Sequence, residues 1–219
     1  AADMGCQPHQ GAGYFPVDDK KNQDFYTEKY GAVHPTKAGL KIPQIFDAAI
    51  SREIKAVWII GEDVVQTDPN SAHVAKAMNA LDLLVVQEIF MSETAKHADV
   101  VLPGTTFLEK DGTFTNTERR IQRVNKAAEP LPGTKPDGLI VTDMMQKLGF
   151  DQKLYDADEV LAEIADIVPF FKGITRERLG KLGLQWPVKE DGTDTKILHQ
   201  KEFKLGKGRI KYFDWKESS

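Results

Sequence analysis

The sequence has 219 residues, 41% of them hydrophobic and 28% charged. That ordinary globular composition excludes a disordered tail, a collagen-like fibre and a coiled coil. The single cysteine, Cys6, allows no internal disulfide, and 29 Lys and Arg against 33 Asp and Glu argue against a nucleic-acid partner. Apolar runs such as Ala56 to Ile60 fall far short of the roughly 18 to 20 residues that a membrane-spanning helix needs. The expectation is a soluble chain with no direct membrane insertion, located in the cytoplasm rather than the periplasm.

Residues 1–43 read as a loop-rich lead-in, with Gly5, Pro8, Gly11, Gly13, Pro16, Gly31, Pro35, Gly39 and Pro43 spaced too densely for a long helix. One short helix fits Gln23 to Tyr30. So long an irregular stretch rarely stands alone, so it is expected to lie against another surface. Helical spacing of Ile45, Phe46, Ala49 and Ile50 predicts a helix over Gln44 to Ile54. Ala56 to Ile60 then reads as a buried strand ending at Gly61. A helix over about Ser71 to Ala80 follows, with Asp68 or Asn70 as its cap. Leu83 to Gln87 is a second strand, Ser92 to His97 a short helix and Asp99 to Pro103 a third strand. Residues 104–136 turn irregular again. Helices are expected over Asp137 to Leu148, Asp158 to Ile167 and Thr175 to Leu182, and a hairpin over Ile197 to Trp215.

Helix and strand alternating at this spacing predict an α/β fold: a Rossmann-like three-layer unit with a short parallel sheet and long irregular excursions. Three segments follow. Residues 1–43 are the lead-in, 44–150 the Rossmann-like unit with its excursion at 104–136, and 151–219 a helical segment and hairpin.

In an open parallel sheet, ligands bind beyond the carboxyl ends of the strands. Gly61, Glu62 and Asp63 end the first strand, and Gln87 and Glu88 the second. Gly61 permits close backbone approach, and the Asp63 carboxylate can accept from a ribose hydroxyl or a guanine amino group. Thr67 lies near the next helix start, where backbone N–H groups favour phosphate. The plainer alternative makes Asp63 and Asp68 turn and cap residues and Gln87 a strand end. No GxGxxG is present, which disfavours an ordinary nicotinamide site. Glu109 to Arg123 mixes glycine, hydroxyls, an amide and arginines suited to phosphate or polar rings; a solvated charged loop is the other reading. Arg119, Arg120, Arg123 and Lys126 form a local basic cluster there. The five histidines show no ligand spacing and Cys6 lacks a nearby base, so neither a metal site nor a catalytic nucleophile is expected.

The segments Gly61 to Asp68, Val86 to Ala95, Ala98 to Pro103 and Glu109 to Arg123, with Asp3-Met4-Gly5, closely resemble the catalytic (alpha) subunit of molybdenum- or tungsten-dependent formate dehydrogenases. These motifs belong to the molybdopterin oxidoreductase superfamily, and the likeness covers nearly the whole chain. It implies an internal piece of a longer subunit that oxidises formate to carbon dioxide and two electrons. It implies bis-molybdopterin guanine dinucleotide carrying Mo or W, and a 4Fe-4S iron–sulfur cluster in an N-terminal part absent here. A C-terminal β-barrel domain would follow the last segment.

The implied partners are the remaining domains of the same subunit and an iron–sulfur electron-transfer subunit. By resemblance, the guanine dinucleotide cradle comprises Gly61, Glu62, Asp63, Thr67, Gln87 and Asp137, while the catalytic and metal-ligating residues lie outside this segment. The piece alone is then expected to be inactive. Thr113 to Arg120 resembles a loop running past the pterin and substrate funnel. Two rivals remain: another enzyme of the superfamily (nitrate reductase-like, or an electron-input subunit), and a free-standing nucleotide-binding module.

Overall fold

A computed structural model describes residues 7–203 together with 206, 210 and 212. Cys6 and about half of the expected hairpin over Ile197 to Trp215 lie outside the described residues; within 197–203 there are turns and bends but no strand. Among the described residues, no helix is long and apolar enough to cross a membrane.

In chain order, the lead-in forms a two-residue antiparallel ladder of β1 (Gln10–Gly11) and β2 (Phe15–Pro16), then helix α1 (Lys20–Tyr30). Asp19 caps α1, accepting from Lys21 N at 2.8 Å, and Gly31 closes it at φ +64°. The helix therefore starts three residues earlier than the glycine and proline pattern predicts, because Asp19 supplies the cap.

The α/β unit follows: α2 (Ile42–Ile50), β3 (Ala56–Ile60), the short α3 (Val64–Thr67), α4 (Ser71–Ala80), β4 (Leu83–Glu88) and β5 (Val100–Pro103). The three strands form one parallel sheet in the order β3-β4-β5, with Ala56 opposite Leu83 and Val85 opposite Val100. This is the α/β architecture expected from the sequence. Side chains alternate across a strand, so Leu84 and Val86 point into a core with Phe46, Val74, Ala77 and Met78 of α2 and α4. Val85 and Gln87 take the opposite face, where α5 (Asp137–Lys147) begins. The helix expected over Ser92 to His97 shrinks to a single 3₁₀ turn at Ala95–His97. Six residues with their ends held by the turns after β4 and before β5 leave room for little more.

The excursion at 104–136 is less irregular than expected. It contains an antiparallel hairpin of β6 (Gly112–Thr115) and β7 (Arg120–Val124), extended by β8 (Leu184–Gln185). A second core forms around Ile121 of β7 with Tyr26 of α1, Leu161 and Ile167 of α6 (Ala157–Ile167), Phe171 of the 3₁₀ turn Pro169–Phe171, and Leu179 of α7 (Arg176–Leu179). The lead-in thus has a partner within the chain. Tyr30 Oη donates to Glu163 Oε1 at 3.0 Å, and Lys29 pairs with Asp166. The last helix is cut to four residues because Gly180, at φ +51°, and Gly183, at φ +73°, interrupt the stretch read as helical to Leu182.

Candidate functional site at the strand ends

The carboxyl ends of β3, β4 and β5 bring four segments together: the turn after each strand and the first residue of α5. Gly61 follows β3 at φ +63° and donates its N–H to Gln87 O at 2.9 Å. That left-handed conformation suits glycine, and a Cβ built there meets nothing within 4 Å. The space over this turn is open.

Asp63 sits at the start of α3, but its carboxylate faces the turn after β4. Oδ1 accepts from Thr94 N at 2.8 Å and from Thr94 Oγ1 at 2.6 Å, and Oδ2 accepts from Glu93 N at 3.2 Å. The Thr94 hydroxyl in turn accepts from Val65 N at 3.0 Å. Burial pushes the Asp63 carboxyl up, but these hydrogen bonds from Thr94 and Glu93 outweigh it and hold the group below the usual range. Thr67 Oγ1 donates to Glu62 Oε1 at 2.7 Å, so those two exposed side chains are already joined.

Gln87 is 1% exposed. Its Nε2 donates to Asp137 Oδ1 at 2.8 Å, while its Oε1 is buried with no hydrogen-bond partner. The second Asp137 oxygen receives the Lys110 ammonium, which also donates to Thr105 O at 3.2 Å. Thr105 is 2% exposed, and its hydroxyl oxygen likewise has no partner. Burial raises the Asp137 carboxyl, but the Lys110 and Gln87 hydrogen bonds prevail and leave it below the ordinary range. Gly104 packs closely against this arrangement: a Cβ there would lie 3.1 Å from Asp137 Oδ1 and push the carboxylate by a few tenths of an ångström. A cavity of about 200 Å³ opens beside Asp137 and Lys110, walled by Phe114, Gly138 and Tyr155. Gly138 is required, since a Cβ would stand 2.3 Å from the Tyr155 ring.

The structure therefore gathers the sequence-selected residues into two groups. Gly61, Glu62, Asp63 and Thr67 form the turn after β3, and Gln87 and Asp137 join across 50 residues of sequence. Sequence reasoning missed Thr94, Gly104 and Thr105. It picked out Lys110 only as part of a polar stretch, because the 27-residue gap to Asp137 leaves no spacing signal.

The polar stretch itself is largely engaged internally. Arg119 donates to the carbonyls of Trp186 and Thr195, the latter at 3.1 Å, and lies 5.7 Å over the Trp186 ring. Arg120 pairs with Glu118 at 2.7 Å. Glu109, 9% exposed, accepts from Thr106 N at 2.8 Å and Leu131 N at 3.1 Å.

Residues 4–147 match the molybdopterin oxidoreductase family. The chain belongs to that family. Two relatives extend the match across 97% of the chain: the F420-dependent formate dehydrogenase subunit alpha of Methanocaldococcus jannaschii at 41% identity, and a provisionally named formate dehydrogenase of Staphylococcus haemolyticus at 42%. The chain spans 32% of the first and 22% of the second, so it corresponds to about a fifth to a third of their length. Among solved structures, acetylene hydratase from Pelobacter acetylenicus superposes with a TM-score of 0.52 over 71% of the chain and 22% of its own, at 23% identity. That likeness supports the fold. Membership of the molybdopterin oxidoreductases implies a molybdopterin cofactor carrying Mo or W, and the relatives' greater length is consistent with the chain being part of a longer subunit.

Proposed function

We propose that this chain is the guanine-dinucleotide cradle of a molybdenum or tungsten formate dehydrogenase alpha subunit. The observation that carries this reading is the 41–42% identity, over 97% of the chain, to two proteins named as formate dehydrogenases. No comparable feature favours a nitrate reductase-like enzyme, an electron-input subunit or a free-standing module.

The residues present fit the nucleotide end of such a cofactor. A guanine edge offers two adjacent N–H donors, and a carboxylate offers two adjacent acceptors. Asp137 presents such a carboxylate beside a cavity, ionised and fixed by Lys110 and Gln87. Gly61 keeps the end of β3 open to close approach. Asp137 would take the base, and Gly61, Glu62, Asp63 and Thr67 would border the ribose and phosphates. Gln87 acts from beneath, through Asp137.

Bound in the complete subunit as a bis-molybdopterin guanine dinucleotide, the cofactor supplies two-electron redox chemistry at its metal. In the complete subunit the overall reaction would be formate to carbon dioxide, one proton and two electrons, and a 4Fe-4S cluster in the N-terminal part and an iron–sulfur partner subunit would supply the outlet for the electrons. This chain's own share is binding and orientation. Its residues hold one nucleotide arm at the strand ends and do not touch the reacting carbon.

The test is purification of the full-length subunit under anaerobic conditions. Metal analysis, guanine nucleotide content and dye-coupled formate oxidation are then measured together, with nitrate reduction as the control. Formate turnover with bound guanine nucleotide is expected. Nitrate turnover without formate turnover, or a subunit devoid of guanine nucleotide, would overturn the reading.

A further inference from the structure

We propose that Lys110 is a positioning residue for guanine: its ammonium, anchored on the Thr105 carbonyl, fixes the Asp137 carboxylate at the cavity mouth for the paired N–H donors of the base. The inference rests on the cradle reading above and adds a residue to it. Lys110 lies 27 residues from Asp137 in sequence, on the excursion that leaves β5, yet its side chain returns to the start of α5.

The geometry is constrained on each side. Lys110 takes Asp137 Oδ2, and Gln87 Nε2 takes Oδ1 at 2.8 Å. Gly104 lies against Oδ1, where even a methyl group would come within 3.1 Å. Two anchored oxygens leave the carboxylate one orientation, with its remaining lone pairs free for a ligand. Lys110 keeps about a quarter of its side chain exposed and Asp137 41%, so a base in the cavity can reach the acid without displacing the lysine.

Charge makes the lysine more than a spacer. Around Asp137 stand Asp111 on the same excursion, Tyr155 against Gly138, and Asp156 beside it. These are neutral or negative, and the nearby Lys135 is held by Asp143 at 2.6 Å. Without Lys110, burial acts on the Asp137 carboxyl against the Gln87 hydrogen bond and its own backbone N–H alone, and it takes up a proton more readily. A protonated carboxyl presents one donor and one acceptor to a base edge that offers two donors. Guanine is then mismatched.

The test uses the full-length subunit with its cofactor and two variants, Lys110→Gln and Lys110→Arg. Samples are dialysed at a series of pH values from about 4 to about 8, reaching down to the carboxylate range. Retained cofactor is read as GMP released by acid hydrolysis, alongside circular dichroism melts. Lys110→Gln, which keeps a donor but loses the charge, is expected to lose more nucleotide than wild type, with the gap widening toward the acid end as the carboxyl protonates at a higher pH. Lys110→Arg keeps the charge and should follow the wild-type curve.

A Lys110→Gln curve that falls equally at every pH would mean the lysine is merely structural and overturns the proposal. So would a Lys110→Arg curve displaced from wild type toward higher pH, a result readable even if Lys110→Gln does not fold. Wild-type subunit lacking guanine nucleotide at all pH values would sink both this inference and the cradle reading. Wild type that retains it, with an unshifted Lys110→Gln, sinks the inference alone.

Discussion

The Asp63 carboxylate and the Thr94 hydroxyl lie 2.6 Å apart, and this contact ties the turn after β3 to the turn after β4. Thr94 is wholly buried, and its oxygen also accepts from Val65 N at 3.0 Å. Thr94→Val removes one oxygen and strands two groups, the Val65 N–H and one Asp63 lone pair. An unsatisfied buried group costs about 1 to 3 kcal/mol, so a loss of about that size is expected in urea unfolding. Thr94→Ser keeps the oxygen and should lose less than half as much. Equal stability of the valine variant and wild type would show the contact to be idle.

Asp63→Asn probes the same clamp from the other side. The amide keeps one acceptor but sets an NH₂ group where Oδ2 accepts from Glu93 N. Both the melting temperature and guanine nucleotide retention of the full-length subunit are expected to fall. Lost nucleotide with an unchanged melt would instead make the carboxylate a direct ligand contact.

Acid should weaken this fold through Asp63 and Asp137. Both carboxyls are held below their ordinary range in the folded chain by their hydrogen-bond donors. Their stabilisation is therefore complete above the unfolded value of about 3.9 and is lost as pH falls through the lower folded value. Urea stability is expected to be level from neutrality to about pH 5 and to decline below about pH 4. In the Asp63→Asn, Asp137→Asn double variant the acid decline should be shallower. Identical slopes would remove these two groups from the account.

Gly138→Ala is expected to destabilise by about 1 to 3 kcal/mol, since the added methyl collides with the Tyr155 ring. The clash is relieved when Tyr155→Ala is combined with it, so the pair should be strongly non-additive. Simple additivity in urea melts would mean the ring moves away at no cost.

Arg119→Lys tests the hairpin's anchor. The guanidinium reaches the carbonyls of Trp186 and Thr195 from a residue at φ +66°, and it covers the Trp186 ring. A lysine cannot reproduce that planar fork. A loss of about 1 to 3 kcal/mol is expected, with nucleotide retention unchanged. Loss of retention at full stability would return this arginine to the ligand.

The sequence by itself determined the parallel α/β unit. Ala56 to Ile60, Leu83 to Gln87 and Val100 to Pro103 are short apolar runs between helical stretches, which predicts strands. Only the central β4 holds fully buried residues, and Ala56 to Ile60, read as a buried strand, is a partly exposed edge because nothing among the described residues pairs on its far side. The sequence also marked the strand ends, because Gly61 is legible as a break wherever the chain folds. Only the tertiary structure decided what the polar side chains there do. Whether Asp63 faces a ligand or Thr94, and whether Asp137 stands alone or carries Lys110, depends on partners 31 and 27 residues away. The hairpin at 112–124 was hidden for the same reason. Its Gly112-Thr-Phe-Thr strand has little burial of its own, and β7 gains its core through Ile121 only when α1, α6 and α7 close over it. Hydrophobic periodicity is written locally, residue by residue, whereas a hydrogen bond between distant side chains exists only after the backbone has brought them within reach.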